Sequence, residues 1–246
     1  MSDLNIKVLH EPSSREPYLV IDKPAGLASA PLVEGEDSAY TQSQKLFPSL
    51  KNVDGRKEIE HGLLHRIDTP TRGLLLIAST NEFYNYMTDI QKNGLFTKTY
   101  TAQCQKCDVI SLMEGYPPPE NKENLTDNLT DNLRSGVEIS SLFRPYSQNN
   151  SSVRPVNILS GKAALKKACK ETYSTFIKIE DDLNAVCTIK KGYRHQVRCH
   201  LSWIGYPITG DNLYNPLYQK GQKLCFTASA FSFPDMTSGK ITAYSL

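Results

Sequence analysis

The sequence predicts an α+β fold, with a mixed, largely antiparallel central sheet flanked by helices. Apolar or alternating runs of strand length recur at residues 18–21, 73–79 and 97–104 and twice within 170–192, and no uninterrupted apolar run approaches a membrane span. Helical periodicity is confined to separate segments. Strands and helices alternate irregularly through hairpin-like joints, without a βαβ rhythm. The 246 residues can bury a substantial core. The expectation is one domain over residues 1–246, interrupted by a polar, loop-rich insertion at about 105–162.

The first element, Tyr-Leu-Val-Ile at 18–21, reads as a buried strand that breaks at Lys23-Pro24-Ala25-Gly26, where Pro and Gly enforce a turn. Residues 41–50 are a weaker helix candidate. "GLLLIAS" at 73–79 has the length and apolar density of a central strand, with a buried helix left open by periodicity alone. Residues 81–96 read as a helix with Thr80 or Asn81 as N-cap, apolar or aromatic residues at 83, 86, 87 and 90, and Gly94 as its stop. "TKTYTAQC" then alternates as a strand.

Beyond it the chain becomes polar and turn-rich, with Pro-Pro-Pro at 117–119, the tandem "NLTDNLTDNL" from Asn124 to Leu133, and "SQNNSS". This composition suits a surface insertion or flexible arm. Order returns across 170–192 with two strands joined by the acidic turn Glu180-Asp181-Asp182. A helix is expected from about 194 to 204, ended by Gly205. Its spacing puts Val197, Leu201 and Ile204 on one face and Arg194 and Arg198 on a second.

The 28 basic and 26 acidic residues give a net charge of +2, too small to announce a nucleic-acid binder, so any such signal must be local. Six cysteines are too few for a disulfide scaffold, and the N-terminal residues hold no signal-peptide core. A cytoplasmic protein with free thiols is the expectation, with no membrane association. Cys104-Gln-Lys-Cys107 is a single CxxC without a second pair, consistent with free thiols, a redox pair or a lone metal motif.

Three features could carry chemistry. In "HGLLHRIDTPTRGLLLIAST" a charged cluster stands between two apolar runs, and in an extended segment Arg66 and Asp68 share a face opposite His65 and Ile67. Asp68 beside a cation would stay ionised and could serve as nucleophile or base; an ion pair at a turn is the plainer alternative. His61, His65 and Asp68, four and three apart, would form a metal-binding face only in a helix. Between Asp182 and Asp211 stand Lys190, Lys191, Arg194 and Arg198 with His195 and His200 and no carboxylate, a stretch that suits phosphate contact or a solvated helix face.

Taken in order, "DKPAGLASAP", "HRIDTPTRGLLLIA", "KTYTA" and "GYRHQVRCHLSWIGYPITGDNLY" resemble the motifs of the RluA-type pseudouridine synthase family. The resemblance implies a pseudouridine synthase catalytic domain that isomerises uridine in ribosomal or transfer RNA without cofactor or metal. By matching positions it implies that Asp68 is the essential carboxylate, that Tyr100 packs on the uracil, and that Arg198 pairs with the catalytic aspartate. Arg66 matches a residue that can fill the space of the flipped base. His65, Arg72, Lys190, Lys191, Arg194 and His195 complete the expected RNA-contacting set.

The match has departures. Thr71-Arg72-Gly73 stands for Thr-Ser-Gly, Gly192-Tyr193-Arg194-His195-Gln196 for Gly-Arg-Thr-His-Gln, and Thr227 for a histidine. No S4 module and no obligatory protein partner are expected, and the enzyme should act as a monomer. The competing readings are a catalytically inactive RNA-binding relative and a metal-dependent hydrolase using His61, His65 and Asp68.

Overall fold

A computed structural model describes residues 4–107, 116–118, 129–180 and 182–246. In chain order the elements are β1 (Lys7–His10), β2 (Tyr18–Lys23), α1 (Ala39–Leu46), β3 (Arg72–Ala78), α2 (Asn81–Lys92), β4 (Thr97–Gln103), α3 (Leu129–Ser135), β5 (Val137–Tyr146), β6 (Ser152–Val156), α4 (Lys162–Lys166), β7 (Tyr173–Ile179), β8 (Asn184–Ile189), α5 (Gln196–Trp203), β9 (Phe226–Pro234) and β10 (Ile241–Ser245). The α+β class holds, with a mixed sheet. Strands β3 and β9 pair in parallel, whereas β1–β2, β2–β3, β9–β10, β5–β6, β5–β7 and β7–β8 pair antiparallel.

The chain divides into two compact units, Met1–Lys98 with Thr227–Leu246, and Thr99–Phe226. In the first unit the strand order is β1-β2-β3-β9, with β10 on β9. Leu74, Leu76 and Ala78 of β3 share a core with Phe83, Met87 and Ile90 of α2 and with Phe96, Phe231 and Phe233. Each large side chain buried there contributes about 1.5–3 kcal/mol. The α2 N-terminus is capped by Thr80, whose hydroxyl accepts the Phe83 N–H, and the chain turns back at Gly94 with φ +68°. Gly73, at φ +140°, lies against β9 so closely that a Cβ would stand 2.3 Å from the Ala228 carbonyl oxygen. No other residue fits there.

The second unit runs β4-β8-β7-β5-β6. Here the expectation of a loop-rich stretch at 105–162 needs correction, because β5 and β6 are regular strands inside it. In β5 the buried positions are Ile139, Ser141 and Phe143, so a serine breaks the apolar alternation that announces a strand. β6 carries Arg154 and Pro155, and it lies last in the strand order, where a proline costs no ladder hydrogen bond. The first five residues of the tandem from Asn124, and Asp181 of the acidic turn, lie outside the described residues.

The helix expected from about 194 begins at Gln196, because His195 adopts a left-handed φ of +57°. Arg194 is therefore not on the helix, and the expected Arg194–Arg198 face does not form. The two departures share one cause, a kink that sends Arg194 toward the β5–β6 hairpin. Among the described residues no helix is long and apolar enough to cross a membrane, and the six cysteines are free thiols.

Candidate active site

Asp68 sits in an irregular segment fastened at both ends. Upstream, the segment runs along β3: Leu64 N–H donates to the Leu76 carbonyl at 3.2 Å and Ala78 N–H to that of Gly62 at 2.8 Å. His65 Nε2 accepts the Leu76 N–H at 3.2 Å, and its ring meets the edges of Phe96 and Phe231. Burial, reinforced by the Lys98 charge, pushes this imidazole down to about 3. His65 is thus neutral, and its Nδ1 is buried without a hydrogen-bond partner. With Nε2 occupied by the Leu76 N–H and Nδ1 buried, the side chain secures the loop.

The residues on either side of Asp68 are gripped by the 23–29 turn. Ser29 Oγ accepts the Ile67 N–H at 3.1 Å and donates to the Ile67 carbonyl at 2.7 Å. The Thr69 carbonyl accepts from Gly26 N–H at 2.8 Å and from the Lys23 ammonium at 3.2 Å. That ammonium, fully buried, also donates to the carbonyls of Pro24 at 3.0 Å and Leu27 at 2.7 Å. A Thr71 N–H bond to the Asp68 carbonyl at 2.9 Å closes the turn. Asp68 itself is half-buried. Burial lowers Lys23 to about 8, opposed by the negative charges of Asp68 and Asp22.

The expected cations nearby have partners other than Asp68. Arg66 pairs with Glu60 at 2.9 Å. Arg72 forks onto Asp22, with Nη2 at 2.7 Å and Nε at 3.2 Å from the same oxygen. Both arginine side chains remain more than half exposed, at 56% and 57%, whereas the carboxylates they hold are mostly buried, at 15% and 8%.

In the second unit α5 is pinned to β7 and β5 by two residues four apart. Gln196 Nε2 donates to the Ser174 carbonyl and the Thr175 hydroxyl, and His200 bonds Thr175 and Ser141 at 2.9 Å each. This i, i+4 face fixes Arg198 on the helix. Arg198, 2% exposed, grips Asp211 bidentately, Nε and Nη2 each at 2.8 Å. Asp211 also accepts the N–H groups of Leu213 and Tyr214. Such a fork is among the stronger polar contacts in proteins. Tyr100, on β4, stacks on Phe226 with centroids 5.2 Å apart and planes at 13°.

Of the remaining expected RNA contacts, Lys190 and Lys191 are exposed, and Lys191 lies 3.8 Å from Glu171. Arg194 donates to the Asn150 and Ser152 carbonyls. His195 Nδ1 bonds the Tyr214 hydroxyl at 2.9 Å.

The helix required for a His61, His65 and Asp68 metal face is absent. His61 stacks on Tyr40, and among the described residues no group of three His, Cys, Asp or Glu side chains is arranged to hold a metal. Residues not anticipated from spacing are Ser29, Lys23 and Asp211. Lys23 and Asp211 stand inside motif-like runs, but a buried serine that binds a loop 38 residues away leaves no local signal.

A family profile described as RNA pseudouridylate synthase matches residues 17–203. The chain belongs to this family. It is 25% identical over 213 residues to ribosomal large subunit pseudouridine synthase D of Pseudomonas aeruginosa, covering 86% of this chain and 54% of that protein. It is 23% identical over 228 residues to tRNA pseudouridine synthase C of Vibrio cholerae, covering 89% and 83%. The chain thus spans about half the length of the first relative. The solved structure of human RNA pseudouridylate synthase domain containing 1 shares the fold, with a TM-score of 0.67 at 17% identity, covering all of this chain and 84% of that one.

Proposed function

We propose that the chain isomerises uridine in a structured ribosomal or transfer RNA to pseudouridine, with Asp68 as the reacting carboxylate. The observation that carries the reading is the two-sided grip on Asp68. Ile67 is held through both its backbone groups by Ser29, and Thr69 through its carbonyl by Gly26 and Lys23. A carboxylate that must meet one atom of a flipped nucleotide needs this kind of backbone fixation.

The reaction breaks the bond from the ribose to N1 of uracil, turns the base and rejoins it through C5; C5 gives up its proton to solvent and the freed N1 takes one up. It is redox-neutral and an isomerisation, so it balances without a cofactor. The target uridine must leave its stack, at a cost of a few kcal/mol. Tyr100 and Arg198 are proposed as supporting residues on their match to the family motifs. Arg66, Arg72, Lys190 and Lys191, with exposed side chains, are the proposed phosphate contacts. Arg194 and His195 contribute by holding the β5–β6 hairpin and Tyr214. The proposed enzyme works as a cytoplasmic monomer with no further partner.

The test is tritium release from C5-labelled RNA taken from cells lacking this protein. Release by the wild type and none by Asp68→Ala is the expected result. Tight RNA binding with no release by either protein would favour a catalytically inactive relative.

A further inference from the structure

Between Glu138 and Glu171 the chain holds six cations and no carboxylate. This stretch carries +6 in a chain whose total is +2, so the remaining residues carry −4. Two of the six, Arg144 and Arg154, lie over the Tyr146 ring. The other four, Lys162, Lys166, Lys167 and Lys170, are exposed within nine residues and stand outside the motif-like runs that carry the site. Among the described residues none of these four has an ion pair; Glu171, the next carboxylate along the chain, lies beside Lys191 at 3.8 Å. Unbalanced like charges repel one another and lower stability, but they raise the local concentration of a polyanion.

The lysine segment is fastened at both ends. Asn157 caps the turn that precedes it, its Oδ1 accepting the Leu159 N–H at 3.0 Å and its Nδ2 donating to the Pro118 carbonyl at 2.7 Å. At the far end Cys169 N–H donates to the Phe143 carbonyl at 2.8 Å, and Cys169 Sγ accepts the Phe143 N–H at 3.1 Å. Lys162 and Lys166, four apart on α4, share a face. A backbone held in this way spares a partner much of the cost of ordering it.

We propose that Lys162, Lys166, Lys167 and Lys170 form a second RNA-binding surface, which holds the phosphate backbone of the substrate away from the target uridine; it rests on the reading of RNA as substrate. Continuity favours RNA. Glu171, one residue past Lys170, stands beside Lys191, so the surface adjoins the lysine pair proposed above as phosphate contacts. Lysine, a point charge on a flexible stem, suits backbone contacts that carry no sequence information. The rival occupant is an anionic membrane, because Ile158 and Leu159, which lead into the segment, are 78% and 59% exposed. An interfacial anchor sinks a continuous apolar helix face into lipid, whereas α4 is five residues long and offers one large apolar side chain, Leu165.

The test uses the full chain with Lys162→Gln, Lys166→Gln, Lys167→Gln and Lys170→Gln combined. A control that loses the same charge carries Lys7→Gln, Lys45→Gln, Lys51→Gln and Lys92→Gln, all exposed residues of the first unit. Near-ultraviolet circular dichroism checks the fold of both, and Lys166→Gln with Lys167→Gln replaces the fourfold variant if that one misfolds. Binding at stepped salt is measured on a uridine-free duplex of guanosine and cytidine, and tritium release on C5-labelled cellular RNA.

For the fourfold variant at 162–170 the duplex Kd should weaken about tenfold or more, with a log–log salt slope flattened by about 2.8–3.6, or about half that for the pair. Its KM for the labelled RNA should rise with kcat little changed, and the control should keep the wild-type slope. An unchanged Kd and slope, or equal flattening in the control, would overturn the surface. Loss of binding to phosphatidylglycerol vesicles with duplex binding unaltered would overturn RNA as the occupant. Tritium release by the wild type with no change of slope in the variant would sink the surface alone; duplex binding that depends on the four lysines, without tritium release, would sink the isomerase reading and leave the RNA surface standing.

Discussion

Ser29 and Ile67 hold each other through a single hydroxyl, which accepts the Ile67 N–H and donates to the Ile67 carbonyl. Both residues are buried, at 5% and 8% exposure, so Ser29→Ala strands a donor and an acceptor at a cost of about 1–3 kcal/mol each. Because Asp68 follows Ile67, the loss should appear in aim as well as stability. We expect turnover to fall at least tenfold with RNA Kd changed less than twofold, and Ser29→Thr to recover most of the loss. Single-turnover kinetics check this; unaltered kcat in Ser29→Ala would show that the hydroxyl does not set the position of Asp68.

Lys23 gives the site a pH dependence whose sign can be worked out. Its folded value, about 8, lies below the ordinary 10.5. Between those values the unfolded chain keeps a proton that the folded chain has released, so this group makes unfolding free energy rise with pH across the window. Below pH 8 the cost of burying the charge is present in full. Turnover should move the other way, because above pH 8 Asp68 loses its lysine counter-charge and the Thr69 carbonyl loses part of its donor. A kcat profile with an alkaline limb near 8, retained in Lys98→Met and flattened in Lys23→Met, is the expected outcome.

Much of this was legible from spacing. β3, α2 and the α5 apolar face follow from runs of Leu and from i, i+4 periodicity, and the Asp68 loop announced itself as charge between two apolar elements. β5 and β6 were hidden because their inward positions include Ser141, which serves His200 through a hydrogen bond, and because an edge strand tolerates Pro155. The loop-holding role of His65 is hidden for a related reason: a ring that accepts a backbone N–H from β3 is indistinguishable in sequence from one that faces a ligand. Tertiary hydrogen bonds leave no periodic trace.

Lys190 and Lys191 test the path of the RNA. Both are exposed at the end of β8, and the Lys191 pair with Glu171, at 3.8 Å and largely solvated, holds neither side chain firmly. Replacing both with alanine should leave stability within about 0.5 kcal/mol and flatten the log–log salt slope of RNA binding by about 1.4–1.8. Filter binding at stepped salt measures it; an unchanged slope would move the RNA elsewhere.

The Arg198–Asp211 fork separates structure from chemistry. Asp211 is fully buried, and two backbone N–H groups already occupy one of its oxygens. Asp211→Asn keeps an acceptor for those groups but removes the charge that Arg198 grips, which should cost about 3–5 kcal/mol by denaturant midpoint. A buried pair replaced whole by apolar residues of similar volume is often neutral. The double variant Arg198→Met with Asp211→Asn, which removes both charges and keeps the acceptor for the two N–H groups, should therefore regain most of the stability lost in Asp211→Asn alone. If Arg198 serves only the fold, turnover will return with stability; if it supports the reaction as proposed, the refolded double variant will stay inactive.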